Sequence, residues 1–160
     1  SLNVFENIIF PIRQHHKITD WGAIEDLVKV KLAMVGMDGF QQHYPANLSG
    51  GQQKRVALAR AIAMDPSVIL YDEPTTGLDP ITSKEISSLI IDLQHAFKMT
   101  SVVVTHDLLC AKIIADRAIV LSDGKIVAEG DIENLVTSED PLLKNFFSDE
   151  IIEENNGRVQ

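Results

Sequence analysis

Two segments of strand length, the continuous apolar run Val68-Ile69-Leu70-Tyr71 and Ser101-Val102-Val103-Val104-Thr105 with its three central valines, constrain this chain more than any other feature. A strand wetted on one side alternates apolar and polar residues, whereas a continuous run suits a strand covered on both faces of a parallel sheet. Between the runs, Ile86, Leu89, Ile90, Leu93 and Phe97 recur at helical spacing. The stripe opens with Asp79-Pro80, an N-cap followed by proline at the first helical position. Another helix is expected from Asp107 to about Ala115. Ala118 to Leu121 and Lys125 to Ala128 flank Ser122-Asp123-Gly124, a hairpin signature. Strand, helix, strand, helix and hairpin in that order predict an α/β fold with a parallel sheet at its centre.

The first third is helical in pattern. Val4 to Ile12 is apolar and is expected to stop near Pro11. His15-His16-Lys17 to Asp20 reads as a polar loop. Ile24, Leu27, Val28, Leu32 and Val35 form a second stripe, with Gly36 as its stop. Gln41 to Asn47 reads as a loop around Pro45. Ser49 to Met64 is predicted to be a helix ended by Asp65-Pro66. Helical stretches near Ile132 and Leu142 close the fold, and Glu150 to Gln160 reads as a frayed acidic tail.

Composition narrows the functions. Apolar residues make up 45% of 160, enough for a real core, and the formal net charge is −9. That balance argues against a nucleic-acid surface, which needs basic clusters for the phosphates. A single cysteine, Cys110, excludes an internal disulfide and a cysteine-cluster metal site, and suits a reducing compartment. No apolar run reaches the 18 or so residues that span a bilayer. The chain opens Ser1-Leu2-Asn3-Val4, without methionine and in an apolar segment, which reads as a start inside a larger chain.

Four short motifs carry chemistry. Leu48-Ser49-Gly50-Gly51-Gln52 places a capping serine and two glycines at a helix start. The first N–H groups of a helix lack partners and face the positive end of its dipole, so such a tip can bind a phosphate. It can equally be an ordinary Ser-capped helix after a glycine turn. Asp72-Glu73 ends the first apolar run and sets two carboxylates at the C-terminal edge of a strand, where ligands of open α/β sheets bind. Asp72 there can hold Mg²⁺ and Glu73 can deprotonate a water. The bland alternative is two solvated acids opening a loop. His106 follows the second run and can donate to a γ-phosphate, or simply lie on the surface beside a capping Asp107. Thr76-Gly77-Leu78-Asp79 is a turn with an N-cap whose interest comes from its place just after Glu73.

In this order and spacing the motifs closely resemble the ABC ATPase family, from about Leu2 to about Leu135. Leu48 to Gln52 matches the family's signature motif without a departure. Asp72 and Glu73 match its Walker B aspartate and catalytic glutamate, Gly77-Leu78-Asp79 its D-loop, and His106 its switch histidine. Val4-Phe5-Glu6-Asn7 with Phe10-Pro11 looks like the stretch after the family's Q-loop. Asp79-Pro80-Ile81-Thr82, Ile114-Ala115-Asp116 and Lys125 to Gly130 look most like the lipid-handling importers of the Mce and lipid-asymmetry type. The resemblance implies part of a P-loop NTPase (RecA-like) sheet joined to an ABC helical subdomain. Residues 1–64 would be the helical subdomain, 65–135 the core portion, and 136–160 a C-terminal helix and tail. It implies ATP and Mg²⁺ as cofactors, with Glu73 and His106 catalytic and Asp72 at the metal. Ser49, Gly50, Gly51, Gln52 and Asp79 would contact nucleotide. It also implies a second ATPase subunit, permease subunits reached near Val4 to Phe10, no nucleic acid, and a place on the cytoplasmic face of the inner or plasma membrane.

One departure sets a limit. The family cradles phosphates with Gly-x-x-x-x-Gly-Lys-Ser/Thr. Here the one Gly-Lys pair, Gly124-Lys125, precedes Ile126 in the expected hairpin. The adenine-stacking aromatic and the Q-loop glutamine are missing as well. In ABC dimers the signature of one subunit closes on ATP held by the other, so this chain carries the half that acts on a partner's ATP. The polypeptide alone is therefore expected to lack ATPase activity, and to expose an apolar patch and a sheet edge. Two other classes fit some of these features: a module completing another subunit's site without catalysis, and a DNA-maintenance ATPase of the SMC kind, which would need long heptad repeats that are not visible.

Overall fold

A computed structural model describes residues 2–15 and 20–147. The chain divides into two compact units, Ser1–Val104 and Thr105–Gln160.

The first unit begins with α1 (Val4–His15), which continues one turn past Pro11 rather than stopping there. A proline inside a helix forfeits its own N–H bond. Here Ile8, Ile9 and Ile12 are all buried and hold the helix on both sides of Pro11. Asn3 and Glu6 start α1 reciprocally: the Glu6 N–H donates to Asn3 Oδ1 and the Asn3 N–H to Glu6 Oε2, both at 2.8 Å. The loop expected over His15 to Asp20 lies largely outside the described residues, and His15 itself ends α1. Helix α2 (Trp21–Met34) is capped by Asp20, which accepts from Gly22 and Ala23 N–H. It ends as expected at Gly36, whose φ of +68° is one a glycine adopts without strain. A short 3₁₀ turn, Pro45–Asn47, occupies the stretch read as loop.

Helix α3 (Gly50–Ala61) is N-capped by Ser49 and ends three residues before the expected Met64. Ile62 and Ala63 leave the helical path to bury their side chains, and Asp65 turns the chain with a φ of +47°. Strand β1 (Val68–Asp72), helix α4 (Pro80–Phe97) and strand β2 (Thr100–Val104) follow. The strands pair in parallel with Leu70 opposite Val102 and Asp72 opposite Val104. Burial on both faces was the expectation, and the structure corrects it. Ile69 and Tyr71 are buried, whereas Leu70 is 76% exposed, and Val68, Val102 and Val104 are exposed beside it. The physical reason is cover on one face only among the described residues, so the period-two pleat puts alternate residues in water. Burial pushes the Tyr71 phenol above the usual tyrosine range.

The second unit holds α5 (Leu108–Ile114), the antiparallel pair β3 (Ala118–Ser122) and β4 (Lys125–Gly130), and α6 (Ile132–Val136). Residues 141–147 are helical. Asp123 and Gly124 both have positive φ, the conformation a two-residue hairpin turn requires. Leu108, Val120, Ile132, Leu135, Leu143 and Phe147 form this unit's core. The tail from Glu150 to Gln160 lies outside the described residues.

Candidate nucleotide-facing site

The helix tip is built by a reciprocal cap. Gln52 N–H donates to Ser49 Oγ at 3.3 Å, and Ser49 N–H donates to Gln52 Oε1 at 3.0 Å. Two backbone donors are satisfied this way. Among the described residues no hydrogen bond engages the N–H groups of Gly50 and Gly51, the next two of the helix start. Ser49 and Gly50 are exposed while Leu48 beneath them is buried. The tip therefore offers open N–H donors to solvent, at the end of the helix where an anion is favoured.

Packing leaves little room for a side chain at either glycine, and least at Gly51. A Cβ on Gly51 would stand 2.6 Å from Thr82 Cγ2, and one on Gly50 would stand 3.2 Å from Leu78 Cδ2. The tip is thus pressed against the Gly77-Leu78-Asp79 turn and the first turn of α4. Asp79 caps α4 by accepting from Ile81 and Thr82 N–H, each at 3.1 Å, and from Thr82 Oγ1 at 2.6 Å. The Thr82 hydroxyl, followed by the Thr82 N–H, holds the Asp79 carboxyl below the usual aspartate range.

The acidic strand end lies in the same unit. Asp72 is exposed at the last position of β1, and Glu73 is half-buried just beyond it. Glu73 N–H donates to the Val104 carbonyl at 2.9 Å, which extends the ladder by one bond. Its backbone then turns left-handed, with φ +48°, a conformation glutamate adopts only when its surroundings hold it there. Its carboxylate accepts from Thr76 Oγ1 at 3.0 Å. Lys54, on α3, donates from Nζ to the Glu73 carbonyl at 2.9 Å.

Ser49, Gly50, Gly51, Gln52, Asp72, Glu73 and Asp79 are thus all carried by the first unit, and contacts join the tip to the turn and α3 to Glu73. His106 belongs to the second unit. It is exposed and precedes Asp107, which caps α5 by accepting from Cys110 N–H at 3.0 Å. Sequence reading passed over Lys54, and named Thr76 and Thr82 only as members of motifs, with no role of their own. Each is a polar residue that looks solvated by pattern, and only the fold shows what its polar atom reaches.

Among the described residues no cluster of three or more His, Cys, Asp or Glu side chains could hold a metal by itself. Asp72 nonetheless suits Mg²⁺, which takes one or two carboxylates and completes its shell with water and phosphate oxygens. No helix among the described residues is long and apolar enough to cross a membrane.

A parallel strand pair with a crossover helix, a glycine tip and an acidic strand end defines part of a P-loop NTPase of the ABC type. The comparisons agree. The family described as ABC transporter matches residues 1–76. The intermembrane phospholipid transport system ATP-binding protein MlaF of Haemophilus influenzae is 44% identical over 150 residues, covering 94% of this chain and 56% of that protein. Its Escherichia coli K12 counterpart is 42% identical over 147 residues, covering 92% and 54%. Among solved structures, the ATP-binding cassette MJ0796, a dimer in a post-hydrolysis state bound to ADP and Pi, superposes with a TM-score of 0.72 at 36% identity, covering 82% of this chain and 57% of that one. The chain is thus similar to ABC transporter ATP-binding proteins along most of its own length, and spans little more than half the length of these relatives.

Proposed function

We propose that the chain is the signature-bearing portion of an ATP-hydrolysing subunit that powers an ABC transporter, with a lipid as the cargo. Two kinds of residue divide the work. The open N–H groups of Gly50 and Gly51, with Ser49 and Gln52, bind the phosphates of ATP held by a second ATPase subunit. Asp72 would hold Mg²⁺, which supplies charge neutralisation at the phosphate oxygens when bound. Glu73 takes a proton from water, and His106 donates to the terminal phosphate. Asp79 shapes the turn that meets the nucleotide. Residues 1–64 act as the helical subdomain, 65–135 as the core portion and 136–160 as the C-terminal part, with permease docking near Val4 to Phe10 and a position on the cytoplasmic face of the membrane. The lipid cargo rests on the phospholipid-transport relatives.

The observation that carries the proposal is the tip itself: exposed, reciprocally capped, and with two glycine N–H groups open. Phosphoryl transfer depends on positioning and charge stabilisation, and these 160 residues contain no Gly-x-x-x-x-Gly-Lys-Ser/Thr loop. The chain alone is expected to hydrolyse no ATP above background. In an assembly with a subunit that carries the cradle, Glu73→Gln should lower kcat by roughly a hundredfold to ten-thousandfold, the usual worth of a general base. Hydrolysis by the isolated chain that is lost in Glu73→Gln would contradict the division of labour. Unchanged kcat in the assembled variant would contradict the role of Glu73.

A further inference from the structure

We propose that Lys54 is a positioning residue for Glu73, the tie that makes the helix tip and the acidic strand end of one chain move together. The inference deepens the function proposed above and rests on it. Lys54 sits one helical turn beyond Gly50 on α3, so any shift of the tip along the helix axis is carried to its side chain. Its Nζ donates to the Glu73 carbonyl at 2.9 Å across 19 residues of sequence. The Thr76 N–H also donates to that carbonyl, at a long 3.4 Å.

The bond falls where the backbone most needs holding. Glu73 is the residue at which the chain leaves the sheet, and it does so with φ +48°. Its N–H is fixed by Val104 of β2. With the carbonyl held by Lys54, the peptide groups on both sides of the Glu73 Cα are anchored, and its side chain leaves the backbone from a fixed point. The Thr76 hydroxyl then completes the placement at Oε2. Lys54 thus approaches Glu73 from the helix, while Thr82 and Leu78 meet the same helix at Gly51 and Gly50. A phosphate engaging the tip on one side of the chain therefore changes the geometry of the carboxylate that acts on the other nucleotide. A lysine suits the task because its long stem spans the gap and its ammonium makes a charge-assisted bond to a neutral carbonyl.

The test compares wild type, Lys54→Met and Lys54→Arg. Amide hydrogen exchange on the full chain reads the backbone directly. In Lys54→Met the Glu73 and Thr76 amides should exchange about tenfold faster, with α2 and β2 unchanged, and Lys54→Arg should restore most of the protection. In the assembled ATPase, Lys54→Met should lower kcat by roughly tenfold to a hundredfold with KM for ATP little changed, as expected for a misplaced catalytic group. Unaltered exchange at Glu73 and Thr76, equal acceleration throughout the unit, or no restoration by Lys54→Arg would each overturn the proposal. Should Glu73→Gln leave hydrolysis intact, the role of Glu73 fails, and the exchange data still decide whether Lys54 holds its backbone.

Discussion

Asp79 shows how one side chain can fix the start of a helix and the turn beside the candidate site. It accepts from two N–H groups and a hydroxyl at the start of α4, and it sits in the turn against which the glycine tip packs. Those bonds favour the ionised carboxyl and lower its pKa from the ordinary 3.8. A carboxyl depressed in the folded state adds stability above its unfolded pKa, and that stability is lost as pH falls through the folded value. Thermal melts of wild type and Asp79→Ala should therefore differ by a constant gap from neutrality down to about pH 4, and the gap should narrow below it. A gap that is already closing near pH 6 would assign the effect to another group. The Asp79-Pro80 start was legible in the sequence because a cap and a proline leave local signals. Thr82 was not, because nothing in the order of residues says that its methyl faces Gly51 and its hydroxyl the Asp79 carboxylate.

The elements were read well where periodicity speaks and less well where packing decides. Helices α2 and α4, the parallel pair and the Asp123-Gly124 hairpin fall where pattern and turn chemistry put them. The end of α3 was misplaced because Ile62 and Ala63 are buried outside the helix, a tertiary choice that its apolar pattern cannot reveal. Pro11 misled in the opposite direction, since buried isoleucines on both sides outweigh one lost bond. Between elements, Lys31 of α2 is a buried cation that sequence reading took no notice of. It pairs with Asp65 and lies 4.5 Å from the centre of the Phe97 ring at the end of α4. Removing one partner of such a pair strands the other, whereas replacing the charge with an apolar side chain can be neutral. Asp65 is largely exposed, so its loss is cushioned by water. Asp65→Ala should cost about 1–2 kcal/mol in urea denaturation, and Lys31→Met should cost less. The reverse order would mean that the ammonium itself, and not its neutralisation, holds α2 to α4.

At the scale of the whole molecule, one arrangement joins these parts: an exposed glycine tip, tied within the first unit to an acidic strand end. The uncovered apolar row of Val68, Leu70, Val102 and Val104 was expected in kind, and the residues that form it follow from the parallel register. What sequence could not give was the tie itself, since Lys54 and Glu73 are 19 residues apart and no motif links them. If the tip acts on ATP held by another subunit, nucleotide must govern association. The most direct measurement is equilibrium sedimentation of this chain with an ATPase subunit that carries the Gly-x-x-x-x-Gly-Lys-Ser/Thr loop, with and without ATP. The account predicts association with ATP, and a loss of at least about tenfold in affinity for Ser49→Arg, which removes the cap and crowds the tip. Association that is equally strong without nucleotide, or indifferent to Ser49→Arg, would contradict it.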